Sequence, residues 1–396
     1  MAEPIGRKDK KMKRKHLTKL LSIGCAAAMS AMLLAGCGSS SKTSGDASSG
    51  SAAASVSASA ENESASSELS TKEVLTKAAK DGKIGNWGLG NQYELLALLA
   101  KYNLSDKYLS QDYSMDQFDN DSITLASAMT YNELGLVKNS YDGGYGYGNK
   151  VNVIDMNKEG VAMLEDNIFC TKQFAKENPE TVKAFLYASM KGWDYAVKHP
   201  EEAAQIVYKA GSSVSQDHQK YMAGEVAKLV TTDMDGKTVT DLGSIQKKAV
   251  DQTLSIAKKY VKLEDSSAQK KLKALKDSDV VDDSFMKSIE KSDGSFKPEK
   301  KSVSIQLKWL PQAQFMGYYV AESKGYYKDA GLTVKIVSGG GDISETTAVN
   351  NGTVDFGVTW LTNLASADAA GMNLVEVSQV FQRSGLDLVY KPENFK

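Results

Sequence analysis

Apolar positions change their spacing several times along the chain, and each change marks an element. From Ser70 the run STKEVLTKAAKDG repeats apolar residues three and four apart behind a Ser70–Glu73 capping box, which predicts a short helix stopped at Asp81 and Gly82. KIGNW then reads as a short strand, and a glycine loop leads to a helix capped by Asn91 with Glu94 three residues on. DSITLASAMTYNE predicts a helix or turn entering a strand that ends near Tyr131, and VNVIDM alternates as a strand does. Asn178-Pro179 and Pro200 each open a helix, since proline at the first helical position loses an N–H that has no helical partner anyway. Helical spacing continues to about Lys291 and reads as a flank around the sheet.

After the polar stretch KSDGSFKPEKK the pattern begins again: SIQLKW as a strand and QFMGYYVAESKGYYKDA as one helix ending at Gly331. LTVKIV follows as a strand, and GGGDISETTAVN as a glycine loop entering a helix with Asp342 and Glu345 as its capping box. Asn351-Gly352 is a tight turn, and VDFGVTW a further strand. Strands alternating with helices at this spacing predict an α/β fold with parallel or mixed doubly wound sheets. The expected division is a small α/β lobe over 70–150 and a large lobe with the helical flank over 151–396, with 386–396 returning to the small lobe.

Composition changes the picture mainly at the start. The chain has 396 residues, 41% hydrophobic and 24% charged, enough for two lobes. Its first 19 residues hold eight basic side chains against two acidic ones, while the whole chain carries a net charge of −1. The body is therefore mildly acidic and unsuited to nucleic-acid phosphates. The basic head runs into LLSIGCAAAMSAMLLAGC, an uncharged stretch of the secretory-leader kind that ends on Leu-Ala-Gly-Cys37. This resembles a bacterial lipobox, so residues 1–36 are expected to be a signal peptide and Cys37 to carry lipid at the cell membrane, on its extracytoplasmic side. Residues 37–69 are Ser- and Ala-rich with almost no large apolar groups, the composition of a disordered tether.

Of three cysteines only Cys170 stays in the body beyond Cys37, so no disulfide is expected there. His199 and His218 lie far apart and read as surface residues, which argues against a metal site. No Ser/His/Asp set, phosphate-binding loop or dinucleotide fingerprint occurs, and no catalytic residue or cofactor is expected. Arg383, the single arginine beyond the leader, reads as a structural ion pair.

The candidate chemistry is aromatic. Ligands of open α/β sheets bind beyond the carboxyl ends of strands. Trp87, Trp309 and Trp360 end predicted strands, Tyr131 ends another, and polar residues follow each, among them Asn91, Glu133, Gln312, Gln314 and Asn363. Such a set suits a planar aromatic ligand stacked between rings and oriented by amides. Trp193, in mid-helix, reads as core.

LKWLPQAQFMGYYVAESKGYYKDAGLTVKIVSGGGDI, NNGTVDFGVTW, QVFQRSG, GNWGLGNQYEL, MDQFDN, AMTYNE and VIDMNKEGVAMLEDNIF together resemble the NMT1/THI5-like solute-binding proteins of ABC importers, across nearly all of 70–396. The resemblance implies a type II periplasmic-binding fold: two lobes with a hinge. It further implies capture of an aromatic heterocycle, a thiamine pyrimidine precursor or riboflavin, and delivery to an ABC permease by a lipid-anchored monomer. It adds Tyr318, in the WLPQAQFxGYYVA block, to the candidate ligand-binding residues. Pyrimidine-synthase-like enzymes of the same superfamily and a ligand-sensing module are the alternatives; the leader and the lack of a histidine near the pocket argue against the enzyme. One departure stands out. The LKWLPQAQF block comes first in the family and here follows the GNWGLG block, so the chain reads as circularly permuted through KSDGSFKPEKK. Ten such residues span up to about 35 Å, enough to join two nearby ends. The C-terminal segment is then expected to be held only by strand pairing, with intact binding and a looser hinge.

Overall fold

The computed structural model describes residues 69–212 and 214–396. The lipidation expected at Cys37, the leader over 1–36 and the tether up to residue 68 lie outside the described residues.

Among the described residues, ten strands form two mixed sheets of five. The strands are β1 (Ile84–Asn86), β2 (Leu109–Ser110), β3 (Leu125–Met129), β4 (Asn152–Asp155), β5 (Asn167–Thr171), β6 (Ser302–Gln306), β7 (Thr333–Val337), β8 (Phe356–Thr359), β9 (Leu374–Gln379) and β10 (Leu386–Tyr390). The first sheet has the order β2-β1-β3-β10-β4 and the second β7-β6-β8-β5-β9. In each, the first three strands are parallel and the fourth runs antiparallel. That antiparallel strand always belongs to chain that has just left the other sheet: β5 follows β4, and β10 follows β9. The sheets are thus joined by two crossing segments, 156–166 and 380–385. Every residue of β3, β8, β9 and β10 is buried, as strands covered by helices on both faces must be.

The first lobe reaches further than composition suggests, because β4, at 152–155, pairs with β10 in the first sheet. The boundary therefore falls in the crossing segments and not at residue 150. Residues 386–396 do enter that lobe, but pairing is not all that holds them. Lys391 donates to the Asp119 carbonyl and to Asp121, Asn394 donates to Asp121 at 2.8 Å, and Phe395 packs edge-on to Tyr390.

Local chemistry explains most helix ends. Ser70 and Glu73 form the expected capping box on helix Thr71–Asp81, and Gly82 closes it at φ 65°, a backbone conformation that costs glycine little. The helix expected over QFMGYYVAESKGYYKDA is two, Met316–Ser323 and Tyr326–Asp329, broken where Gly325 takes φ 77°. Helix Glu345–Asn350 is capped by Ser344 and not Asp342. Glu345 is instead drawn inward to Lys308 and Thr359. Asn91 makes no side-chain cap, because Glu94 is turned into the molecule.

The flank is anchored by a close helix crossing. Helix Pro179–Lys198 lies so near helix Met316–Ser323 that a Cβ on Gly192 would sit 2.1 Å from the Gly317 carbonyl oxygen, and one on Gly317 would meet the Trp193 ring at 2.2 Å. The polar stretch 291–301 is built into this lobe. Phe296 packs against Tyr187, and the Glu299 carboxylate accepts the Glu180 and Thr181 N–H groups, capping the helix that Asn178 leaves uncapped. Glu299→Ala is expected to cost about 1 kcal/mol, the usual worth of an N-cap, measurable as a lowered urea midpoint with unchanged slope.

Glu376 of β9 is fully buried; one oxygen accepts Asn167 Nδ2 at 2.8 Å, and among the described residues the other has no partner and no cation pairs with the carboxyl. Burial pushes its carboxyl up to about 8. A folded-state value above the unfolded one means the fold loses stability as pH rises towards it. Glu376→Gln is therefore expected to be near neutral at pH 5 and stabilising by about 1–3 kcal/mol at pH 9, read from paired urea curves.

Candidate functional site

Between the carboxyl ends of the two sets of parallel strands lies a cavity of about 70 Å³. It is lined by Trp87, Leu89, Asn91, Tyr113, Met129, Tyr131, Asn132, Glu133, Lys308, Trp309, Gln312, Gln314 and Trp360. Trp87 follows β1, Tyr131 follows β3, Trp309 follows β6 and Trp360 follows β8, so each sheet presents aromatic rings towards the other. A larger groove of about 570 Å³ opens beside helix Pro179–Lys198, but it lies on helical surface away from the strand ends. The smaller cavity is the site the topology builds.

The lobes touch across it. Tyr113 meets Trp309 edge-on at 5.1 Å, and Asn363 Nδ2 donates to the Leu89 carbonyl at 3.2 Å. Gly90, at φ 120°, passes so close to Asn363 that a Cβ would lie 2.3 Å from its Oδ1. Glycine is needed there both for the backbone angle and for the contact.

Behind the rings the polar groups form a chain. Gln312 Nε2 donates to Gln314 Oε1 at 2.7 Å, Gln314 Nε2 to Asp166 Oδ2 at 2.7 Å, and Trp360 Nε1 to Asp166 Oδ1 at 3.0 Å. Asp166 sits at φ 43° in the first crossing segment, buried; burial raises its carboxyl to about 7 against the pull of those two donors. The Lys308 ammonium lies 4.5 Å over the Trp360 ring and 3.0 Å from Glu345. One ring face is thereby fixed by a paired cation.

Two groups of the first lobe remain poised. Glu133 is buried in the cavity wall; its carboxylate accepts the Met129 N–H at 3.0 Å and Asn132 Nδ2 at 2.7 Å, and burial pushes it up to about 7. Asn91 is 1% exposed, and its Oδ1 has no hydrogen-bond partner among the described residues. A buried acceptor left unpaired costs about 1–3 kcal/mol, so a donor that reached this one would be favoured.

Two expected residues stand elsewhere. Tyr318 is in the core, edge-on to Trp193 at 5.6 Å, because its side of helix Met316–Ser323 faces the flank. Asn363 lies beside the cavity and fastens the lobes. Neither histidine expectation holds for His218. It is 1% exposed, held between the Tyr141 hydroxyl at 2.7 Å and Asn132 Oδ1 at 2.8 Å, and burial lowers it to about 4. A histidine thus stands directly behind a cavity residue. Arg383 makes no ion pair among the described residues; it acts only at longer range on Asp387. Tyr113, Lys308 and Asp166 escaped the sequence reading. The one available signal was Lys308, next to Trp309; β2, which presents Tyr113, is only two residues long.

Two lobes, each a 2-1-3-n-4 sheet, with an aromatic cavity between their strand ends, define a two-lobed periplasmic-binding-type protein. The chain belongs to the NMT1/THI5-like family, whose model matches residues 68–203 and 312–395, more than half of the chain. That family includes solute-binding proteins of ABC importers and pyrimidine synthases. No curated protein matches the chain.

Proposed function

We propose that the protein is a solute-binding lipoprotein of an ABC importer, held by lipid on Cys37 at the extracytoplasmic face of the cell membrane. It captures an aromatic heterocycle of the thiamine-precursor or flavin type between its lobes and presents the closed form to a permease. The observation that carries the reading is the cavity at the lobe interface: aromatic rings from both sheets surround Asn91, whose buried acceptor lacks a donor. A ring bearing amino groups would supply that donor while stacking on the indoles.

Size favours the smaller candidate. At roughly 10–15 Å³ of such volume per water, 70 Å³ takes on the order of five waters, comparable to a single substituted pyrimidine ring and less than a three-ring flavin. The enzyme alternative finds little support in His218. Both its ring nitrogens are occupied and burial keeps it neutral, so it serves to hold Asn132 in place.

The order of the halves supports a circular permutation. β1–β4 crossing to β5 and β6–β9 crossing to β10 are two copies of one plan, and the helices that complete the second lobe run straight through 291–301 into β6. Lys77 donates to the Lys396 carbonyl at 3.2 Å, so β10 is delivered next to the helix that precedes β1.

Tryptophan fluorescence of the purified protein titrated with riboflavin, alongside a thermal-shift panel of aminopyrimidines, tests the ligand. An aminopyrimidine is expected to raise the melting temperature and riboflavin to quench weakly or not at all. Strong riboflavin quenching would reverse the size argument. No response to either class would overturn the reading.

A further inference from the structure

The two crossing segments meet at buried carboxyls that the cavity does not use. Glu94, in the first turn of helix Gln92–Lys101 of the first lobe, is fully buried; its carboxylate accepts the Met163 N–H from the first crossing and, at 3.0 Å, the Ser384 hydroxyl from the second. Glu165, also buried, accepts the Gly385 N–H at 2.9 Å and lies 3.5 Å from the same hydroxyl. The Ser384 hydroxyl has one proton to give and faces two carboxyls, so a close hydrogen bond to both can form only when one carboxyl carries a proton.

Among the described residues no cation forms an ion pair with either carboxyl. Asp387 acts on Glu94, and Asp166 on Glu165, both with the same sign. Lys308 reaches Glu165 only from a distance and is already paired with Glu345. Arg383, Lys138 and Lys158 act on Asp387. Helix Lys247–Tyr260, packed against helix Gln92–Lys101, turns uncharged groups to the crossing: Thr253 accepts the Leu164 N–H at 2.9 Å, and Gln252 donates to the Ala162 carbonyl at 2.7 Å.

We propose that Glu94 and Glu165 share a proton in the closed protein and, with Ser384, form a proton-operated latch on the hinge, whose deprotonation loosens the crossings and opens the lobes. Two carboxyls sharing one dry site cannot both ionise without strong repulsion. Burial and mutual repulsion hold Glu94 well above the ordinary carboxylate range, and burial brings Glu165 to about 8. Opening admits water and returns both towards ordinary values, so opening releases the proton. Closure is then favoured most at and below the ordinary carboxylate range, and its advantage shrinks as pH rises towards about 8. That such opening would free a captured ligand rests on the proposed function; the latch does not.

The test uses the full-length protein without ligand, so its failure is separate from failure of the transport reading. Small-angle scattering is expected to show the radius of gyration rising between pH 6.5 and 9 in the parent protein and staying flat in Glu94→Gln, where the amide keeps the bond to Ser384 without a charge. Infrared difference spectra over the same range are expected to lose a protonated-carboxyl band in the parent, and Glu94→Gln to remove part of that band. If Glu94→Gln does not fold by circular dichroism, Glu165→Gln serves the same comparison. A parent protein equally compact at both pH values, or a Gln variant that opens as the parent does, overturns the latch.

Discussion

Trp193→Ala is expected to destabilise the protein by about 3–5 kcal/mol, the range for deleting a large buried aromatic. The indole is 1% exposed, lies edge-on to Tyr318 at 5.6 Å and Phe381 at 6.5 Å, and covers Gly317 where helices Pro179–Lys198 and Met316–Ser323 cross. Alanine leaves a void that neither helix can fill, since Gly192 and Gly317 already bring the backbones together. Urea unfolding followed by circular dichroism reads the loss as a lower midpoint, and Trp193→Phe is expected to recover part of it. A loss under about 1 kcal/mol would show that the crossing is not rigid and relaxes into the void. Helix Met316–Ser323 also follows directly on the loop that carries Gln312 and Gln314. A loosened crossing is therefore expected to weaken ligand capture as well, although Trp193 is not part of the cavity wall.

What sequence could show, and what it could not, divides by distance along the chain. The capping box at Ser70, the prolines at 179 and 200 and the rings that follow strands are written within a few residues, and the structure has them in place. Glu94 is the instructive failure. Three residues after Asn91 it carries the signature of a capping acid, yet its carboxylate meets Ser384, 290 residues away in sequence. A local hydrogen bond worth about 1 kcal/mol was outcompeted by a role at the hinge that only the folded chain defines. His218 and Tyr318 repeat the point. Each is polar enough to read as exposed or ligand-facing, and each is buried because a helix from another part of the chain covers it. Trp87, Tyr131, Trp309 and Trp360 do lie on the cavity wall, because a strand end fixes position and direction together, whichever partner strands lie beside it.

The same distinction governs Glu299. A polar stretch such as 291–301 reads as a passive join, and composition gives no hint that one of its acids caps a twenty-residue helix. The join thus adds to the second lobe's stability beyond spanning a gap. The C-terminal segment is tied as well, through Lys391 and Asn394 on Asp121. Any looseness of the hinge would then have to originate in the crossings themselves, where Asp166 holds a left-handed backbone angle and the buried carboxyls gather.

Trp360→Ala is expected to weaken binding of the best-responding aminopyrimidine by at least about 30-fold, equivalent to about 2 kcal/mol. Three losses combine. The ring is a wall of the cavity, so stacking area disappears. Its indole N–H is one of two donors on Asp166; without it a buried carboxylate oxygen is left unpaired, at a cost of about 1–3 kcal/mol. The Lys308 ammonium also loses the aromatic face it rests on. Trp360→Phe separates these contributions, because it keeps a ring for stacking and for Lys308 but cannot donate to Asp166. Calorimetric titration of both variants across pH 5.5–8.5 is the measurement. With the donor gone, the Asp166 carboxyl is expected to stay protonated to higher pH than its present value of about 7, so the penalty in Trp360→Phe is expected to be small at pH 5.5 and to grow towards pH 8.5. A penalty independent of pH would assign the indole to stacking alone and detach Asp166 from capture. Equal affinity of Trp360→Ala and the parent would remove the second lobe's ring from the site.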